Sequence, residues 1–293
     1  MTTAIPVFYS PKMVALSKCM SPSAAKPAKV VDSWQKQFQI ELIEPTPVTV
    51  DEFCRAHDRE YVEDILACRI ENGFHNREPD VALALPYTSG AMLAAARHAM
   101  LTRAKIAVAP VSGFHHAGYE RAEGFCTFNG LMVTALTLKA EGATKVGILD
   151  LDMHYGNGTD EIIRKLGLQN FIRHFTGGAK YDDSRHLPEW MKIGQVTDFF
   201  YQLPGIVESM SDCDVVLYQA GADPHVKDPY GGWLSTAELR HRDEVVFDIL
   251  HASGTPVAWN LAGGYQTEPD GSIPKVLEIH DNTMRECVRV YGG

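Results

Sequence analysis

The sequence predicts an α/β protein built on a parallel sheet flanked by helices. Two observations carry that expectation. Apolar runs alternate along the chain with segments of helical periodicity, and the runs are nearly continuous, as in strands covered on both faces. Residues able to do chemistry follow four of these runs, at the edge where open α/β sheets build their sites.

Taken in order, loops are expected at PSAAKPAK (22–29) and EPTPVT (44–49), followed by a helix over VDEFCRAHDREYVEDILACRI (50–70). A loop at NREPD (76–80) leads to a helix over SGAMLAAARHAM (89–100) and then the strand KIAVAPV (105–111). The helix FNGLMVTALTLKAEG (128–142) precedes the strand KVGILDLD (145–152). In the helix TDEIIRKLG (159–167), Thr159 reads as the N-cap, Asp160 and Glu161 suit the positive end, Arg164 and Lys165 suit the negative end, and Gly167 stops the run. After a loop at GGAKYDDSRHLPEW (177–190) come the strand DVVLYQAGAD (214–223), the helix STAELRHRDEVVFDILHASG (235–254) and the strand PVAWNLAGG (256–264).

Composition sets the bounds. With 293 residues, 45% of them hydrophobic, the chain reads as a single domain over 1–293. No run is long and apolar enough for a bilayer, and the opening MTTAIPVFYS lacks the regions of a signal peptide, so a soluble, cytoplasmic protein without a membrane partner is expected. Six cysteines, at 19, 54, 68, 126, 213 and 287, show no CxxC spacing and read as free thiols. A net charge of −10 argues against a nucleic-acid surface and mildly favours cationic substrates.

After KIAVAPV come His115 and His116; after KVGIL come Asp150, Asp152 and His154; after DVVLYQAGA comes Asp223; after PVAWNLAGG comes Tyr265. Charged carboxylates at the ends of apolar strands need compensation. Asp152 and His154 alternate in an extended segment and so project to one side; with Asp223 they supply three ligands and leave a fourth position for water or substrate, the composition of a catalytic metal site. Taken singly these residues read as caps or turns, and Gly156, Asn157 and Gly158 as a tight connection. Their joint occurrence at four strand ends favours a site. His57, His98, His225, His241, His251 and His280 lack that context, and Cys126 reads as a buried, inert thiol.

In GFHHAGY, GFCTFNG, ILDLDMHYGNGT, QAGADPHVKDPYGG and LAGGY, spanning about 113–265, the chain resembles the histone deacetylase superfamily, which includes bacterial deacetylase-like amidohydrolases and acetylpolyamine amidohydrolases. The segment with His57, Tyr61 and Val62 resembles the family's N-terminal region. The resemblance implies the arginase/deacetylase fold, a three-layer α/β/α sandwich on a parallel sheet of about eight strands. It implies a deacetylase acting on a linear acylated amine such as acetyl-lysine or an acetylpolyamine, with Asp152, His154 and Asp223 binding zinc, or ferrous iron in some preparations. By the same resemblance His116 is the general base, His115 protonates the leaving amine, and Tyr265 donates to the oxyanion. Asp150 orients His115, and Asn157 gives His116 a neutral partner. Gly124, Phe125 and Tyr230 bind substrate along a narrow tunnel, and Asp150, Asp152, His154 and Arg173 surround a structural potassium ion. Oligomeric state is left open.

The chain departs from the family pattern in places. Tyr155 stands where many relatives have a second histidine, Ala262 replaces a glycine, and Ile172, Arg173 and His174 stand where a serine hydroxyl serves the potassium site. Lys29 lies near an arginine that some relatives place by the product exit. The rim loop 72–80 brings Glu78 and Asp80, whose charges suit either a cation, a peptide backbone or solvent. Two rivals are an arginase-type binuclear manganese hydrolase, which needs a carboxylate where Gly156 stands, and a noncatalytic acylamine-binding protein, which would lack His116 or Tyr265.

Overall fold

The computed structural model describes residues 3–16, 19–181 and 186–293. Seven strands, β1 (Ile5–Phe8), β2 (Ile40–Ile43), β3 (Ile106–Ala109), β4 (Val146–Asp150), β5 (Ile172–Thr176), β6 (Val215–Gln219) and β7 (Val257–Asn260), form one sheet in the order β2-β1-β3-β7-β6-β4-β5. Every pairing in it is parallel. Among the described residues the sheet therefore has seven strands rather than the expected eight or so.

The helices are α1 (Lys26–Gln37), α2 (Val50–Phe53), α3 (Arg59–Leu66), α4 (Pro79–Leu101), α5 (Gly130–Ala140), α6 (Asn157–Lys165), α7 (Gly178–Tyr181), α8 (Glu189–Glu208), α9 (Thr236–Ser253) and α10 (Pro274–Tyr291). Successive strand side chains point to opposite faces, and the apolar residues sort accordingly. Ile106, Val108, Val216, Tyr218, Val257 and Trp259 pack with α1, α8, α9 and α10 in one core. Ala107, Ala109, Ile148, Val215, Leu217 and Ala258 pack with α3, α4, α5 and α6 in the other. Two helical layers thus cover one sheet, and this explains why the central strands β3, β7, β6 and β4 are apolar along most of their length. Each fully buried Val, Leu or Ile contributes about 1.5–3 kcal/mol, so the central strands anchor the molecule.

Several expected boundaries move. The segment 22–29 is mostly helical, since Pro27 occupies the first turn of α1, where a missing N–H costs nothing. The expected helix at 50–70 divides in two: Thr49 and Glu52 form a capping box on α2, and the Asp58 carboxylate caps a fresh start at α3. Helix α4 begins ten residues before Ser89 and carries Pro86 inside, whose carbonyl accepts from Val48 N–H at 3.0 Å. Thr159 is not the N-cap of α6; the helix starts at Asn157, and the buried Thr159 hydroxyl accepts from Asn129 Nδ2 at 3.0 Å. Of the expected loop 177–190, residues 178–181 and 189–190 are helical and 182–185 lie outside the described residues. Among the described residues no helix is long and apolar enough to cross a membrane.

The four strands that precede the candidate residues, β3, β7, β6 and β4, are consecutive in the sheet. Their C-terminal ends therefore share one edge, and the segments that follow them meet there.

Candidate active site and metal centre

Two buried aspartates and one half-buried histidine form the centre. Ligand atoms of Asp152, His154 and Asp223 all lie within 4.8 Å of one another, the only such metal-competent group among the described residues. His154 Nδ1 stands 3.3 Å from Asp152 Oδ1 and 3.0 Å from Asp223 Oδ2. His154 Nε2 lies 3.1 Å from the Tyr230 carbonyl, which accepts from Nε2–H and so leaves Nδ1 as the atom turned to the carboxylates and able to ligate once its proton is displaced. Backbone donors hold the carboxylates: Gly263 N–H donates to Asp152 Oδ2 at 2.9 Å and Met153 N–H to Asp223 Oδ1 at 3.3 Å.

The electrostatics suit a cation. Burial, then the charge of Asp152, pushes the Asp223 carboxyl up to about 7. Burial alone would lower the His154 imidazole, but hydrogen bonds to Asp152 and Asp223 raise it to about 11. Two buried carboxylates thus compete for a single proton on His154. A divalent ion would answer both charges and leave the imidazole neutral, and two oxygens with one nitrogen are a zinc-type donor set.

The paired histidines are pushed apart. His115 Nδ1 lies 2.7 Å from Asp150 Oδ2, and although burial works to lower this imidazole, Asp150 and Asp152 raise it to about 9. His116 Nδ1 lies 2.7 Å from Asn157 Oδ1, and burial, followed by the charge of His115, lowers it to about 4. Asp150 is completed by Gln219 Nε2, which donates to Oδ1 at 2.9 Å. Thr159 N–H donates to the His115 carbonyl at 3.0 Å, so the first turn of α6 braces the histidine segment. Cys126 is buried and its thiol pushed up to about 12, as an inert thiol should be.

Aromatic rings gather above the centre. Tyr265 lies 5.1 Å from Tyr230 edge to face and 5.5 Å from Phe125, and Phe125 lies 6.5 Å from Tyr230. Burial, then the charges of Asp152 and Asp223, holds the Tyr265 phenol well above its ordinary value, so it stays a proton donor. Gly124 packs on His116: a Cβ there would come within 2.4 Å of the imidazole Cδ2.

Arg173 does not join the others. It pairs in register with Gly147, at the far end of β5 from Asp150, and its exposed guanidinium faces Ser209 and Asp212. Thr176 is the residue paired with Asp150, and its hydroxyl accepts from Gly156 N–H at 3.0 Å. A hydroxyl therefore stands at the Asp150 end of β5, three positions beyond Arg173. Lys29 donates to the Gly271 carbonyl at 3.0 Å, while the fully buried Lys26 donates to the Ala262 and Gly263 carbonyls beneath the site. Burial lowers the Lys26 ammonium to about 8 against the pull of Asp223, Asp152 and Asp228. Sequence reasoning also missed Asp228, whose carboxylate accepts from Tyr230 N–H at 3.0 Å and Tyr265 N–H at 2.8 Å. Its signal was an Asp-Pro turn beside a tyrosine, indistinguishable from any loop. A Cβ at Gly156 would lie 2.6 Å from Asp150 Oδ2, leaving no space there for the carboxylate that a second metal would require.

Comparison with known proteins gives the family and the fold. The histone deacetylase domain profile matches residues 20–171, more than half the chain, and the chain belongs to that family. The chain is 28% identical over 188 residues to the acetylpolyamine amidohydrolase of Mycoplana ramosa, an alignment covering 56% of this chain and 53% of the relative. It is 30% identical over 162 residues to a protein of Picosynechococcus sp., covering 52% and 54%. The chain thus spans about half the length of these curated relatives. The fold is that of the HD domain of HDA15, with a TM-score of 0.76 at 20% identity over 99% of this chain and 91% of that one.

Proposed function

We propose that the chain is a zinc-dependent deacetylase that hydrolyses the acyl amide of a linear amine such as acetyl-lysine or an acetylpolyamine. One observation carries the reading: a three-ligand cluster stands beside two histidines whose surroundings favour opposite protonation states. Zinc held by Asp152, His154 and Asp223, with ferrous iron as the alternative, would supply Lewis acidity to the acyl carbonyl and to the attacking water. His116, neutral with its Nδ1 on Asn157, takes a proton from that water at Nε2. His115, kept protonated by Asp150, delivers a proton to the departing amine. Tyr265 donates its phenolic proton as a hydrogen bond to the oxygen on which negative charge develops.

Phe125 and Tyr230 give the approach apolar walls, which suit a linear aliphatic arm, and Gly124 lets that wall close on His116. A potassium ion near Asp150, Asp152 and His154 would find the Thr176 hydroxyl rather than Arg173. The net charge of −10 favours cationic amines over nucleic acid as partners. The test is acetate release from a panel of acetyl-lysine peptides and acetylated polyamines, with and without chelator. Chelator-sensitive release from at least one is expected; a zinc-loaded protein inert across the panel would favour a binding role.

A further inference from the structure

The hydrogen bonds of His116 do not end at Asn157. Asn157 Oδ1 lies 2.7 Å from His116 Nδ1, and on its other side Asn157 Nδ2 donates to Glu123 Oε2 at 3.0 Å. Unlike a carboxylate, an asparagine has two different ends, and the one it presents decides where a neutral imidazole keeps its proton. Turned over, Asn157 would offer N–H to His116 Nδ1, drive the imidazole proton to Nε2 and remove the lone pair a base requires. We infer that Glu123 is a positioning residue that prevents this, because a carboxylate can only accept and so holds the amide N–H₂ of Asn157 toward itself and its carbonyl toward His116.

Glu123 is itself held in place. Glu123 N–H donates to the Cys126 carbonyl at 3.0 Å and Cys126 N–H to the Glu123 carbonyl at 2.8 Å, closing a tight turn in which Gly124 and Phe125 have φ of +54° and +63°. Positive φ at both central positions is the hairpin turn that glycine and asparagine favour, and a phenylalanine there is strained. Arg121 Nε donates to the same Glu123 oxygen at 3.1 Å, and Arg121 also pairs with Glu161, one turn along α6 from Asn157. The carboxylate is therefore strapped across the first turn of α6. With the Glu123 and Arg121 side chains 50% and 42% exposed, the pair adds little stability; what it supplies is direction. Burial opposes ionisation of Glu123, but its bonds to Arg121 and Asn157 keep the carboxyl below its ordinary value and acceptor-only at neutral pH.

The consequence for turnover rests on the deacetylase reading above; the tautomer does not. The experiment is imidazole nitrogen-15 spectroscopy of the full chain with zinc added, His116 being assigned by comparison with His116→Ala. In the unsubstituted protein His116 should carry its proton on Nδ1. Glu123→Ala should populate the Nε2–H form and lower kcat by roughly 10-fold or more, the worth of a charge-assisted hydrogen bond. Glu123→Gln, which retains an acceptor oxygen, should keep the Nδ1–H form and most of the turnover, and Glu123→Leu, which has no acceptor, gives the same test as alanine should the alanine variant not fold. In an Asn157→Asp background there is no amide to turn, so Glu123→Ala should leave the tautomer unchanged. A folded Glu123→Ala protein with His116 wholly Nδ1–H overturns the inference, as does a tautomer change that persists in the Asn157→Asp background. A tautomer change without hydrolysis in any form would support Glu123 and count against the deacetylase reading.

Discussion

His115 and His116 are adjacent in sequence, with ring centroids 4.0 Å apart, yet one faces a carboxylate and the other an amide. That difference separates their charges: Asp150 holds His115 protonated against burial, whereas the amide brings no charge to oppose the burial and the His115 charge that keep His116 neutral. His116→Ala should abolish turnover while leaving bound zinc unchanged by elemental analysis; turnover near that of the unsubstituted protein would remove His116 from the reaction. Tyr265→Phe should lower kcat by about 10²-fold with little change in KM, which steady-state kinetics will show, since an oxyanion donor acts chiefly in the transition state. At this scale the cluster of Asp152, His154 and Asp223 and the two histidines beside it were legible because each follows an apolar strand. Lys26, Asp228 and Thr176 were not, since Lys26 arrives through the packing of α1, Asp228 through loop closure and Thr176 through strand register, and no local spacing encodes these.

Among the elements, strands β3, β4, β6 and β7 stand out in the sequence because both faces are buried, so their apolar runs are unbroken. Strand β2 does not, for it lies at the sheet edge and its four residues, Ile40 to Ile43, include a glutamate and are none of them buried. Pro86 concealed the first turns of α4, and Pro27 was read as a loop where it starts a helix. Helix α9 was legible at both ends: Ser235 and Glu238 form a capping box, and Gly254 closes it in the left-handed conformation. Ser235→Ala should cost about 1 kcal/mol in urea unfolding without altering turnover. Between α2 and α3 the buried His57 lies 2.9 Å from the Gly118 carbonyl through Nδ1, while its Nε2 accepts from Asn129 N–H at 2.9 Å. Burial lowers this imidazole from 6.5 to about 4. The unfolded chain then binds a proton that the folded one refuses, so this stability is full above about pH 6.5 and is lost as pH falls toward about 4, at about 1.4 kcal/mol per unit. His57→Gln should flatten the pH dependence of unfolding across that window by about one proton, and an unchanged slope would show that His57 is not its source.

For the whole molecule, the sheet order is what turns four sequence motifs into one site. β3, β7, β6 and β4 lie side by side, so residues separated by up to half the chain converge without any special loop. The fold class was legible from polarity alone, whereas strand order was not, because pairing depends on which helical layer each crossover joins. We propose that this edge holds one catalytic metal: three side chains able to ligate it are gathered there, and Gly156 leaves no space for a further carboxylate. The most direct measurement is a titration of chelator-stripped protein with zinc, following hydrolysis of the best acylated amine in the panel. Activity should rise linearly and saturate at one zinc per chain; saturation only at two, or activity that persists undiminished in the stripped protein, would rule out a single catalytic metal.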